Sequence, residues 1–187
     1  DPVRVKKMDG TYLTEEGITL DMTHFEVNGI SYLVWSYRKG FGTQDDTGSM
    51  LYIATIDPQN PYILTSEPVL LSRPLFGWEN TEGTINNEGP YALLTKEKVY
   101  LAYSGGAAGG YSYVVGWLTI DKDGNLLNPD EWEKSCTPAL SHYSIEGEYG
   151  PGHNTFFTDE DGNVMIAYHA QETLGNTPRC TGIRRVH

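Results

Sequence analysis

Hydrophobic and polar positions along this chain fall into short runs separated by turn residues, with almost no recurrence every three or four positions. The stretches "SYLVWSY" (31–37), "SMLYIATI" (49–56), "KVYLAYS" (98–104), "YSYVVGWLTI" (111–120) and "NVMIAYHA" (163–170) are rich in β-branched and aromatic residues and read as strands. Asn28-Gly29, Asp123-Gly124 and Asp161-Gly162 predict tight hairpin turns. Helical signal is confined to "NPDEWEK" (128–134), with Asn128 as cap and Pro129 at the first position of one or two turns. The pattern predicts an all-β protein.

Three segments repeat one layout: "DMTHFEVNGISYLVWSY", "EGPYALLTKEKVYLAYS" and "HNTFFTDEDGNVMIAYH". Each opens on a polar residue, runs through a short apolar strand and a turn, and enters a second strand ending in aromatic and polar residues. A further strand follows each: "MLYIATID", "YSYVVGWLTID" and "RCTGIRRVH". Aligning Tyr32, Tyr100 and Met165 gives periods of 68 and 65 residues, with Asp21, Glu88 and His153 lying 11, 12 and 12 residues upstream. A repeat of three or four antiparallel strands predicts β-propeller blades, the long period being absorbed in interblade loops. The innermost strands of a propeller line its central channel, so Asp21, Glu88 and His153 are predicted neighbours. Rings usually have about four to eight blades. Residues 1–187 are therefore expected to be part of a longer propeller, covering about three blades and lacking the first.

The charge balance, 13 Lys and Arg against 25 Asp and Glu for a net −12, argues against a nucleic-acid partner. No apolar run of 18 residues is present, so no membrane-spanning helix is predicted. The 13 Tyr, 4 Trp and 5 Phe suit strands and polar-ligand clefts alike. Cys136 and Cys180 form no CxxC and are open to pairing or to two thiols.

Two carboxylates converging on one cleft suit glycoside hydrolysis, where one group protonates the leaving oxygen and another activates water or attacks. A nearby second charge keeps the acid protonated. The competing reading is that Asp21 and Glu88 merely satisfy backbone N–H groups at strand starts. His153 in "GPGHNTFF" is either a buried hydrogen-bonded histidine or a metal ligand or donor at the channel. "SGGAAGG" lacks the strand-to-helix setting of a phosphate loop, and "DKDGN" and "DEDGN" lack the closing Glu of a calcium loop.

At these residues the chain resembles glycoside hydrolase family 43, in "LDMTHFEVNGISYLVWS", "WENTEGTINNEGPYALLTKEKVYLAYSGG", "YGPGHNTFFTDEDGNVMIAYHA" and "RCTGIRRVH". The resemblance implies a five-bladed propeller and single-displacement, inverting hydrolysis, by an α-L-arabinofuranosidase or a β-xylosidase. Glu88 in "NEGP" matches the general acid, and Asp21 in "LDMTHF" the residue that tunes and orients it. His153 matches a channel histidine near which many members hold calcium, and Arg179 is similar to an arginine reaching the sugar. The family's general base is an Asp on the first blade. Asp1-Pro2 resembles that motif only superficially, and the base is not assigned to it. Trp78, in the "PLFGWEN" loop, is the leading candidate for stacking on sugar. Trp35 and Tyr103 stand between that role and blade packing. An arabinose- or xylose-containing oligo- or polysaccharide is the expected partner, without organic cofactor, for a secreted or periplasmic protein that is monomeric when full length. The reading from another class is a noncatalytic carbohydrate-binding propeller.

Overall fold

The computed structural model describes residues 4–175 and 178–187, so Asp1 and Pro2 lie outside the described residues. Strands β1 (Ile18–Val27), β2 (Ile30–Arg38), β3 (Met50–Asp57), β4 (Asn60–Leu64) and β5 (Val69–Ser72) form one antiparallel sheet, with β5 joining on β3. A second sheet runs β6 (Asn87–Leu94), β7 (Lys98–Gly105), β8 (Val114–Asp121) and β9 (Glu133–Lys134). The third is β10 (Tyr149–Thr158), β11 (Val164–Gln171) and β12 (Arg179–Arg185). The predicted all-β class and the three repeats are therefore present as three sheets, each led by the strand that carries one of the expected channel residues.

Local chemistry explains the hairpins. Asn28 and Gly29 both take left-handed φ values, 52° and 77°, and join Val27 directly to Ile30. Such a two-residue turn matches strand twist, and Asn-Gly suits it because both positions need positive φ. The β10–β11 turn is longer. Asp159 accepts from the backbone N–H groups of Asp161 and Asn163, and Gly162 adopts φ 81°.

Asp123-Gly124 is not a tight hairpin. The chain turns there, with Gly124 N–H donating to Asp121, but continues through Leu126 and a single 3₁₀ turn at Pro129–Glu131 before β9 returns to β8. Burial redirects it: Leu126 and Trp132 are 2% and 8% exposed, and the Trp132 indole donates to the Leu126 carbonyl. The expected helix is cut to that one turn, capped by Asn128, because Glu133 and Lys134 pair with Thr119 and Leu118 as strand.

The largest core lies between the first and second sheets, where Val34, Leu51 and Ile53 meet Val99, Leu101, Tyr103 and Leu118. Tyr91 and Trp117 meet Phe156 across the second and third sheets, with Trp117 and Phe156 stacked at 5.6 Å. Alternation along the strands then leaves each leading strand, β1, β6 and β10, near its neighbours in the interior. Cys136 and Cys180 are exposed and free.

Candidate active site

Each leading strand breaks its ladder at the same place. Leu20 faces Ser36 and Thr23 faces Val34; Glu88 faces Ser104 and Tyr91 faces Ala102; Gly152 faces His169 and Thr155 faces Ala167. In every case the leading strand has one residue more than its partner, a β-bulge, which re-aims side chains and favours functional sites. The first bulged residues are Asp21, Gly89 and His153, with φ values of 56°, 56° and 49°. Glycine takes this conformation freely, and Asp and His tolerate it better than most side chains.

This register corrects the repeat alignment by one residue. The equivalent of Asp21 and His153 is Gly89, and Glu88 is equivalent to Leu20 and Gly152. The longer Asp159–Asn163 turn adds a residue to the third hairpin, which made His153 and Glu88 look equivalent by counting.

Of the three predicted channel residues, Asp21 and His153 line one cleft, and Glu88 adjoins Gly89, which bonds Asp21. Asp21 is half-buried, and its Oδ2 accepts from Gly89 N–H at 3.1 Å and from the Ser36 hydroxyl at 3.3 Å. The His153 Nε2 lies 3.8 Å from Asp21 Oδ1, too long for a hydrogen bond but close enough to feel its charge. A Cβ at Gly89 would lie 3.2 Å from the His153 ring, so the missing side chain lets His153 approach. The Glu88 Oε1 accepts a 2.8 Å hydrogen bond from the Tyr113 hydroxyl.

Tyr113 escaped the sequence reading, which saw only a strand residue. It is fully buried, and burial first, then the Glu88 charge, pushes its phenol well above the usual range, so it acts only as a neutral donor. Gly152 makes room for it, since a Cβ there would sit 2.2 Å from the Tyr113 ring. The ring stacks on His169 at 5.3 Å and 6°. Burial, then Arg179 and His153, pulls His169 down to about 4, so the imidazole is neutral near pH 7. Its Nε2 lies 3.2 Å from the Arg179 guanidinium.

Behind Glu88 lies a buried polar cluster that the sequence reading also missed. Glu79, 0% exposed, is 2.6 Å from the Lys134 ammonium and accepts from the Tyr103 hydroxyl at 2.9 Å and the Asn87 amide at 2.7 Å. The Asn87 carbonyl oxygen accepts from Ser72 and Lys134, at 2.8 and 3.1 Å. The residue immediately before Glu88 is thus anchored on the opposite side of the strand.

The predicted aromatics lie on the first and second sheets. Trp35 is 2% exposed, stacked on Tyr52 on the face of the first sheet turned away from the second. There it lines a cleft of about 460 Å³ with Leu13, Tyr37 and Glu67. Trp78 is half-buried, stacked on Phe76 and Tyr103, and its indole N–H donates to the Cys136 carbonyl. Tyr103 is fully buried beneath it. A smaller cleft, about 260 Å³, lies where the bulges meet and is lined by Asp21, Gly89, Tyr91, His153 and Asn154.

Glu88, bonded by a neutral phenol, and Asp21, bonded to the next residue Gly89, thus lie on the bulged leading strands of two successive sheets. The glycosyl hydrolases family 43 model matches residues 2–187, and the chain belongs to that family. It is 38% identical over 158 residues to the extracellular exo-α-(1→5)-L-arabinofuranosidase of Streptomyces chartreusis, covering 84% of this chain and 46% of that protein. It is 30% identical over 197 residues to α-L-arabinofuranosidase B of Pyricularia oryzae, covering 100% and 40%. The crystal structure of α-L-arabinofuranosidase from Lactobacillus brevis superposes with a TM-score of 0.78 at 33% identity, over 94% of this chain and 56% of that one. The chain therefore spans less than half the length of these two sequence relatives. Its three sheets correspond to propeller blades of this family.

Proposed function

We propose that this chain forms part of a five-bladed propeller that removes terminal α-L-arabinofuranosyl residues from plant cell-wall polysaccharide by single, inverting displacement. The observation that carries the reading is the Glu88 carboxyl, fixed by Tyr113 at the channel beside Asp21. Glu88 protonates the leaving oxygen while Asp21 supplies the neighbouring negative charge and, through Gly89 N–H, fixes the bulge that carries Glu88. Arg179 reaches toward the sugar from the last strand. The arabinofuranosidase names of the relatives support the arabinose side of the family over xylose, and "extracellular" in one of them supports a secreted protein.

Inversion needs a base about 6.5–9.5 Å from the acid, leaving room for the attacking water. We place that base, and the blades that close the ring, in residues outside 1–187. An assay of the 187-residue chain beside a longer protein carrying the upstream blades, on an aryl α-L-arabinofuranoside, is expected to show turnover only in the longer one. Comparable activity in both would put a base within these residues.

A calcium ion near His153 belongs to the same proposal. Both polar atoms of the Asn154 side chain are buried without a partner next to His153, an oxygen donor of the type calcium prefers. Among the described residues no three His, Cys, Asp or Glu side chains gather into a metal set, so the fit is to an ion held largely by its own water, with His153 and Asn154 bonding that shell. Such an ion would supply fixed positive charge near the bulges. Calcium is expected to raise the thermal midpoint of the wild type and to lose that effect in Asn154→Leu. An equal rise in both would remove Asn154 from the site.

A further inference from the structure

The hydrogen bond from Tyr113 to Glu88 has the geometry of a control on the acid, and its surroundings make the phenol's role one-directional. Tyr113 lies immediately before β8, on a different segment from Glu88, and is fully buried. The Ser104 hydroxyl, which faces the same glycine, Gly152, accepts the His153 backbone N–H at 2.7 Å. The phenol is the donor and the Glu88 carboxyl the acceptor. The ring is held by stacking on His169, and Gly152 gives it space that any other residue would deny.

We propose that Tyr113 is a positioning residue for the catalytic acid: it holds the Glu88 carboxyl toward the channel and favours its ionised form as the proton leaves for the glycosidic oxygen. This rests on the general-acid reading of Glu88. A donor to a carboxylate stabilises the charged state, whereas the negative charge of Asp21 opposes it. The neighbouring groups are the neutral His169 of β11, stacked on the phenol, and the Ser104 hydroxyl of β7, which bonds the backbone of His153 in β10. Asp21 and Tyr113 therefore act in opposite senses on one proton. The phenol, being neutral, exerts its effect only by contact.

The test uses Tyr113→Phe in the protein that carries the complete propeller, since phenylalanine keeps the ring that stacks on His169. A lost hydrogen bond to a charged group is expected to lower kcat/KM about tenfold to a hundredfold for natural arabinosides with poor leaving groups. Aryl arabinosides with acidic leaving groups should change little. The basic limb of the pH–rate profile should move to higher pH. Replacing Tyr113 with 3,5-difluorotyrosine gives a more acidic, stronger donor and should move the same limb to lower pH, which keeps the idea testable if Tyr113→Phe folds poorly. An unmoved basic limb in the difluorotyrosine protein, or equal losses on both substrate types in a folded Tyr113→Phe, would leave only packing and overturn the proposal. If Glu88→Gln itself loses equally on both substrate types, the failure belongs to the general-acid reading instead.

Discussion

Replacing Glu88 with glutamine in the complete enzyme is expected to slow hydrolysis of arabinan oligosaccharides by about 10²–10⁴-fold, the usual worth of general acid catalysis. The amide is isosteric and still accepts the Tyr113 hydrogen bond, so the channel should keep its shape. What it loses is the proton for the departing sugar oxygen. An aryl arabinoside with an acidic phenol leaves without that proton, and its turnover should fall far less. The two substrates measured side by side separate proton donation from substrate binding, because a binding role would cost both alike. Equal losses would show that Glu88 holds the sugar or supports the bulge rather than donating a proton.

The parts of this site that were legible in sequence are those set by local chemistry. Asn28-Gly29 reads as a two-residue turn because both residues must take positive φ, and they do. Glu88 stands out because a carboxylate between "INN" and "GPY" opens a strand that recurs elsewhere in the chain. The exact equivalence of positions was not legible, because it depends on ladder register. One extra residue in the Asp159–Asn163 turn shifts the count, and only the pairing of Glu88 with Ser104 and of Gly152 with His169 shows where the bulges fall. Tyr113 was invisible for a different reason. Its importance depends on Gly152, on another sheet, leaving a space for its ring. The setting of Trp78 was hidden in a similar way. Its position in a Gly- and Pro-containing loop suggests sugar stacking, and no local signal shows that Gly105 and Gly116 present bare backbone beneath the indole, where a Cβ at Gly116 would lie 2.6 Å from it.

The Glu79–Lys134 pair was hidden in the same way, and its disruption should give the largest change in stability. Both charges are taken from water between the first two sheets, Glu79 fully and Lys134 mostly, with side-chain exposures of 0% and 16%. Burial pulls the Lys134 ammonium below its ordinary value even though the bond to Glu79 pulls it back, so burial is the larger effect on that charge. Such a pair gives little over a well-packed apolar substitute, but removing one member leaves the other charged and alone. That loss is typically about 3–5 kcal/mol. Lys134→Met keeps the length and apolar contacts of the side chain and removes only the ammonium, leaving Glu79 with Tyr103, Asn87 and the Phe76 N–H as its donors. Denaturant and thermal unfolding should show a loss of that order, at roughly 2–4 °C per kcal/mol for a chain of this size. The double variant Glu79→Gln with Lys134→Met should recover much of it, since no bare charge remains. Because Asn87 is bonded to both members, the single variant should also loosen the start of β6 and weaken catalysis through Glu88, whereas a variant of the solvent-exposed Lys98–Asp121 pair should change neither. A Lys134→Met protein within about 1 kcal/mol of wild type would mean that Glu79 takes up a proton or finds water when its partner is gone, and that the donors around it suffice to anchor the acid.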